Sequence, residues 1–473
     1  MIRMTALPAP VVAAVPSEAL LRRMAGPGPR YTSYPTADRF DESFGAPQLE
    51  ALLDARRRAA ESGDCAPLSL YVHVPFCESV CWYCACNKVI TKHHSKGAAY
   101  VESLEREMGL VIDHLGAGRR VSQLHFGGGS PTFLSDAELA RTMGAIRRHF
   151  HLADDAEISI EVDPRTVTAE RLAHLRAQGF NRLSFGVQDI DPRVQQAIHR
   201  VQPFEQVREL VADARSLGFA SINVDLIYGM PLQTPATFST TIARISELRV
   251  DRIALYAYAH LPERFKPQRR IAAADLPDAR QRVAMLELAM RGFLERGYDY
   301  IGMDHFALPT DALAQAKRAG RLQRNFQGYS TQPDCDLVAL GVSAIGRIGA
   351  SYAQNAKTLP EYEAALAQGR LPVVRGCALD ADDLVRRDII MALMCHGRVA
   401  YADIDARHHV HMRDAFAPEL ARLRILAHDG TVVVDDDGVS VTPAGWYVVR
   451  AIAMVFDGYL QDAASRSRFS KIA

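Results

Sequence analysis

Between residues 69 and 260 the chain alternates short apolar runs with longer amphipathic stretches. The runs are SLYVHVPF (69–76), VSQLHFGGG (121–129), EISIEVDP (157–164), RLSFGVQD (182–189), SINVDLIYG (221–229) and RIALYAYAH (252–260). Each is rich in Val, Ile, Leu or aromatic residues and stops at Gly, Pro or a polar residue, which is how strands read. Between them lie stretches of helical periodicity, such as AYVESLEREMGLVIDHL and TPATFSTTIARISELRV. Six β-then-α units in succession predict an α/β fold, a parallel sheet with helical crossovers, either a barrel or an open doubly wound sheet. A further strand is expected at DYIGMDHFA (298–306), after a helix near 278–296.

After about residue 376 the pattern changes. DDLVRRDIIMALMCHG and DAFAPELARLRILAHDG read as helices, TVVVDDDGVSVT as a hairpin turning at Asp-Gly, and AGWYVVRAIAMVFDGYL as one closing helix. At the other end, GPGPRYTSYPTADRF (26–40) is a non-helical arm dense in Gly, Pro and Tyr. The expected organisation is an N-terminal extension and arm (1–55), an α/β barrel (56–375) and a small helical or winged-helix-like C-terminal domain (376–473).

Composition narrows the function classes. Lys plus Arg and Asp plus Glu both number 55, without the basic excess of a nucleic-acid binder, so nucleic acid is not an expected partner. No stretch approaches the roughly 18 apolar residues of a membrane span. The apolar start MIRMTALPAPVVAAVPSEALL is interrupted by Pro8, Pro10 and Pro16, and is expected to be a disordered extension rather than a signal peptide. A cytoplasmic, monomeric protein is expected. There thiols stay reduced, and clustered cysteines more often mean metal or catalysis than disulfides.

Four of the 8 cysteines, Cys77, Cys81, Cys84 and Cys86, fall inside FCESVCWYCACN, on a loop after the first strand. Thiolates in C-x3-C-x2-C spacing suit an iron–sulfur cluster or zinc. A structural zinc site wants four closed ligands, and no second cysteine or histidine pair follows, although His93 and His94 are near in sequence. Cys65, Cys335, Cys377 and Cys395 lie far apart and are expected to be small buried hydrophobes. The second signal is HFGGGSPTFL (125–134), whose glycines predict close backbone approach and N–H groups presented to a ligand. Polar residues also gather where strands end, the edge at which α/β sheets bind ligands: Glu161 and Asp163, Gln188 and Asp189, and Asp225. Asp163, before Pro164, reads equally well as a helix cap. Glu161 sits inside the apolar ISIEV, where a charge needs a partner.

Together YVHVPFCESVCWYCACN and GGGSPT resemble the radical S-adenosylmethionine superfamily, and in detail the oxygen-independent coproporphyrinogen III oxidases. GPRYTSYPTA, EISIEVDPR, GVQD, NVDLIYGMP, YAHLP, GMDHFA, RNFQGYSTQ, LGVSAIG and SYAQN follow the same order, so the likeness spans nearly the whole chain. The resemblance implies a partial (β/α)6 barrel of parallel strands. It implies that Cys77, Cys81 and Cys84 hold a 4Fe–4S cluster, and that Cys86 does not. Two molecules of S-adenosylmethionine are implied, lined by Tyr71, Tyr83, Gly128, Gly129, Ser130, Glu161, Gln188, Arg200, Asp225, Ala259, Phe326, Gln327 and Ile345. Catalytic roles are implied for Tyr71, Glu161 and Cys86. Ser130 replaces the usual Thr and keeps the hydroxyl; Trp82 and Tyr83 replace smaller or phenylalanine-type residues.

The implied reaction is oxidative decarboxylation of two propionates of coproporphyrinogen III to the vinyl groups of protoporphyrinogen IX. It requires an electron donor and an acceptor that the residues do not identify. A substrate with four carboxylates favours a basic lining, for which Arg30 is a candidate. Two rivals remain. A haem-carrying relative would usually lack the fourth cysteine and the PRYTSYPTA arm, and a structural metal protein would need neither GGGSPT nor the strand-end polar set.

Overall fold

The strongest apolar runs become the strands of one sheet. The computed structural model describes residues 18–24, 26–63, 66–460 and 469. The expected disordered start of the chain and the burial of Cys65 therefore lie largely outside the described residues; Glu18–Arg23 is a helix. In chain order the strands are β1 (Leu68–Val74), β2 (Arg119–Gly128), β3 (Phe150–Val162), β4 (Arg182–Gln188), β5 (Ser221–Tyr228), β6 (Arg252–Ala257), β7 (Asp299–Gly302) and β8 (His305–Ala307). Then come β9 (Gln323–Asn325), β10 (Gly328–Ser330), β11 (Asp336–Leu340), β12 (Ile345–Arg347), β13 (Ser351–Asn355) and β14 (Val373–Ala378).

Strands β1 to β6 lie side by side in chain order, every pair parallel. They are joined by helices Ser95–Leu115, Asp136–His149, Ala169–Ala177, Phe204–Ser216 and Pro235–Glu247. The helices start where the sequence caps them: the side chains of Ser135, Thr168 and Thr234 each accept a backbone N–H of the first turn. Beyond β1 the sheet continues through β11, β12, β13 and β14, and beyond β6 through β8 and β7, so it has two free ends and the barrel is partial. The main core fills the space between sheet and helices, with Leu70, Val72, Leu124, Phe126, Ile160, Phe185 and Val224 fully buried.

A second core forms elsewhere. Tyr31 and Tyr34 of the arm pack with Ile301, Leu313, Leu322 and Tyr329 and with Ile389, Ile390, Met394 and Phe456 of the C-terminal segment. That segment contains helix Ala381–His396 and a three-stranded sheet of β15 (Arg398–Ala400), β16 (Val432–Val434) and β17 (Gly438–Val441), with β17 central. The β16–β17 hairpin is the one expected around Asp-Gly. Among the described residues no helix is long and apolar enough to cross a membrane.

Three local expectations change. The single strand at 298–306 is the β7–β8 hairpin, because Gly302 and Met303 take positive φ (146° and 53°) and reverse the chain. The helix expected across 414–430 splits into Met412–Ala415 and Ala417–Ala427 around Phe416, where Pro418 has no N–H to continue the ladder. The closing helix breaks into Pro443–Trp446, Val449–Ala453 and a 3-10 turn at Met454–Phe456. Packing overrides periodicity there: Gly445 passes so close to Thr431 that a Cβ would lie 1.8 Å from its carbonyl oxygen.

Candidate active site

The C-terminal ends of β1 to β6 open on a cavity of about 460 Å³. Its wall includes Cys77, Cys81, Tyr83, Cys84 and Cys86 from the loop after β1. Gly128, Gly129, Ser130, Glu161, Gln188 and Asp225 come from the following strand ends, and Arg200 from the turn between helices Pro192–Ala197 and Phe204–Ser216. Twelve residues chosen from the sequence thus meet in one place. Tyr71, Ala259, Phe326, Gln327 and Ile345 do not line it. Tyr71 lies one layer deeper, its hydroxyl 3.0 Å from His73 Nδ1 and its ring stacked on His125. Ala259 is linked to the cysteine loop through Gln268, whose Nε2 donates to Ala259 O at 3.2 Å and to Tyr83 O. Gln327 sits in the β9–β10 turn and donates weakly to Leu70 O (3.4 Å). Phe326 packs edge-on against Tyr352, and Ile345 pairs with Gln354 on the antiparallel part of the sheet.

The cysteine loop is tied at both ends and in the middle. Cys77 belongs to a two-residue strand, Phe76–Cys77, paired with Val89–Ile90. Trp82 N donates to Ile198 O (2.9 Å), and its indole stacks on His199, with ring centroids 5.4 Å apart. Gln268 Nε2 donates to Tyr83 O (2.9 Å), and Lys88 Nζ to the carbonyls of Cys84 (3.0 Å) and Cys86 (3.4 Å). Cys81 is buried, and its sulfur faces two guanidiniums, Arg200 Nη1 at 3.5 Å and Arg165 Nη2 at 3.6 Å. Cys86 is exposed toward the cavity rather than packed beneath the loop. Its thiol contact pulls Cys84 down to about 6.

The glycines behave differently from expectation. The backbone N–H groups are already used: Gly128 donates to Glu161 Oε2 (3.1 Å), Gly129 to Val74 O and Ser130 to Phe76 O (both 2.8 Å). What the glycines provide is backbone-to-backbone contact. A Cβ at Gly129 would sit 2.6 Å from Pro75 O and 2.8 Å from Phe76 O, and one at Gly127 would lie 2.9 Å from Glu161 Oε1. The loop is thereby pressed against the segment that carries Cys77.

Arg200, which could have been a solvated helix charge, is 6% exposed. Its fork holds Asp163 at 3.1 and 3.2 Å. Arg165 grips the same carboxylate, with Nη2 at 2.6 Å. Burial would raise the Asp163 pKa, but Arg200 and Arg165 outweigh it and hold the carboxyl below its usual range. Asp163 is also the cap the sequence suggested, accepting Arg165 N at 3.1 Å. Asp225 accepts from Asn223 (2.8 Å) and Ser184 (3.1 Å); burial, then the neighbouring Glu161, push it up to about 6. Asp189 turns away from the cavity and is buried against Thr241 and Gln233. Arg165, Lys88, Gln268 and Tyr256 escaped the sequence reading. Only the Arg of EVDPR carried a signal, through its place in a quoted motif.

Among the described residues no three His, Cys, Asp or Glu side chains converge as ligands of one ion. His93 and His94 are exposed, and His94 stacks on Phe133 beside Glu78. Neither histidine is among the residues that line the cavity with the cysteines. A cubane binds each thiolate through a different iron, so three cysteines lining one cavity, as Cys77, Cys81 and Cys84 do, are compatible with it. Gln188 Oε1 is buried without a partner and adds a polar atom for a bound ligand.

A sequence profile of the radical SAM superfamily matches residues 71–245, and one of the HemN C-terminal domain matches residues 379–448. Oxygen-independent coproporphyrinogen III oxidases of Pseudomonas aeruginosa and Escherichia coli are each 48% identical to the chain, over 96% of its length and 98% of theirs. The solved coproporphyrinogen III oxidase of Escherichia coli, described as a radical SAM enzyme, superposes with a TM-score of 0.88 at 46% identity, over 94% of this chain and 99% of that one.

Proposed function

The chain belongs to the oxygen-independent coproporphyrinogen III oxidase family of radical SAM enzymes, and we propose how its own residues serve that reaction. The reaction is oxidative decarboxylation of two propionates of coproporphyrinogen III to vinyl groups, in haem biosynthesis. A 4Fe–4S cluster and S-adenosylmethionine are its cofactors. When bound, they would supply the radical chemistry that removes a hydrogen from each propionate β-carbon, with loss of carbon dioxide and of one electron to an acceptor.

Cys77, Cys81 and Cys84 are the cluster ligands in this reading. The observation that carries it is that these three cysteines line one cavity together with Glu161 and Asp225. Arg165 and Arg200, against Cys81 Sγ, offset thiolate charge while Asp163 fixes their direction. Glu161 and Asp225 receive the cationic and hydroxyl groups of S-adenosylmethionine, and Tyr83, Ser130 and Gln188 complete its wall. Tyr71 acts as a positioning residue, packed under Gly127 and Glu161. Cys86, exposed to the cavity and outside the ligand set, is free to meet substrate. A second S-adenosylmethionine is held with the help of Ala259, Phe326, Gln327 and Ile345; Gln327 Oε1, buried and unpartnered, supports this.

Equilibrium dialysis of the anaerobically reconstituted protein tests both points. Two S-adenosylmethionine per chain is expected. One per chain would remove the second site, and a Cys81→Ala protein that still binds four irons would remove the ligand assignment.

A further inference from the structure

The open side of the barrel is closed by the β9–β10 hairpin. Ser330 Oγ donates to Gln123 Oε1 on β2 (3.4 Å), Thr331 donates to Glu157 on β3, and Tyr329 meets the ring of His305 on β8 edge-on, with centroids 5.5 Å apart. Three arginines gather on this closure. Arg30 of the arm pairs with Asp304 and lies over the Tyr256 ring, 5.2 Å from its centroid. Arg324 of the hairpin donates through Nε to Arg30 O (3.2 Å) and lies over Tyr329 (4.6 Å). Arg450 donates to Gly28 O and is 4% exposed.

Charge here is not balanced. Arg324 is 4% exposed, forms no ion pair among the described residues, and has Nη1 buried without a partner. A buried guanidinium without an anion is costly, and its fork geometry matches a carboxylate. Beside it, His305 also has Nδ1 buried and unpartnered, and burial, with Arg324 and Arg30 adding to it, holds that ring down to about 3. His305 is therefore a neutral hydrogen-bonding group rather than a fourth cation. Tyr256 is the partition: it lines the cavity and carries Arg30 on its ring.

We propose that Arg324 and Arg30 form an anion site for the propionate carboxylates that the substrate keeps. The inference rests on the functional reading above and adds a place for the rest of the macrocycle. Two of the four propionates survive the reaction. The carbon that reacts lies beside the cysteine loop, so the carboxylates across Tyr256 are surviving ones.

The test compares wild-type holoenzyme with R324Q and R324K under anaerobic conditions, varying coproporphyrinogen III and S-adenosylmethionine separately. R324Q is expected to raise KM for coproporphyrinogen about 10- to 100-fold, the loss of one charge-assisted hydrogen bond, with KM for S-adenosylmethionine unchanged. Lys keeps the charge but not the fork, so R324K is expected to raise the same KM by less, and it stands as the readout if R324Q does not fold. The tricarboxylate that has lost its first carbon dioxide is expected to lose affinity by the same factor. An unchanged porphyrinogen KM, an equal rise in both KM values, or a loss confined to the tetracarboxylate overturns the assignment. Absence of decarboxylation in the wild type would instead sink the functional reading itself.

Discussion

Gly129 and Asp225 show how single residues are committed. Gly129 stands against two backbone carbonyls of the segment holding Cys77, neither of which can swing aside. Gly129→Ala is therefore expected to displace the cysteine loop and cut reconstituted iron at least severalfold, whereas Ser130→Thr, which keeps the hydroxyl, is expected to load normally. Iron analysis and the visible spectrum read both. Asp225 pays in stability for its position. Its pKa rises from 3.8 to about 6 on folding, so the folded state holds a proton that the unfolded chain has released. Stability attributable to this carboxyl is fully present below pH 4, falls as pH rises to about 6, and stays lost above. Asp225→Asn should stabilise the protein by about 2 kcal/mol at pH 7.5 and by little at pH 4, while weakening S-adenosylmethionine binding. Denaturation at the two pH values checks it, and an equal effect at both would contradict it. The cysteine triplet was legible because its members are near neighbours in sequence. Lys88, Arg165 and Gln268 were not, because their contacts to the loop are created by folding, and Arg200 looked like any helix charge until burial placed it on Asp163.

Among the elements, the six parallel strands were readable because strands buried on both faces are continuous apolar runs. What was not readable was where tertiary contacts override periodicity. Strand β3 starts at Phe150 because residues 119–121 of β2 pair with residues 150–152; the polar stretch 153–156 is then skipped as a bulge, and pairing resumes at Glu157. The closing helix breaks where Gly445 meets Thr431. The arm was recognisable as non-helical, but nothing local said that its tyrosines complete the core of a segment some 400 residues later. Tyr31 Oη donates to Asp457 Oδ2 at 2.9 Å, both groups buried. Tyr31→Phe leaves that acceptor without its donor and should cost about 1 to 3 kcal/mol, read by chemical denaturation. Truncation after residue 378 would expose Ile301, Leu313, Leu322 and Tyr329 together. The expected result is an aggregating product, and a monodisperse, cluster-loading fragment would show that the second core is dispensable.

At the scale of the whole molecule, a partial barrel opens a cavity at its strand ends, and the arm, the β9–β10 hairpin and the C-terminal segment share a second core. The cavity and this second core are thus carried by different stretches of chain, joined at Tyr256, which lines the cavity on one side and supports Arg30 on the other. The most direct measurement is anaerobic incubation of the reconstituted protein with S-adenosylmethionine, a reductant, an electron acceptor and coproporphyrinogen III, followed by mass spectrometry. The prediction is a product lighter by two carbon dioxides and four hydrogens, with 5′-deoxyadenosine formed alongside, and neither formed by Cys81→Ala. Deoxyadenosine without decarboxylated product, from protein carrying a full cluster, would contradict the account.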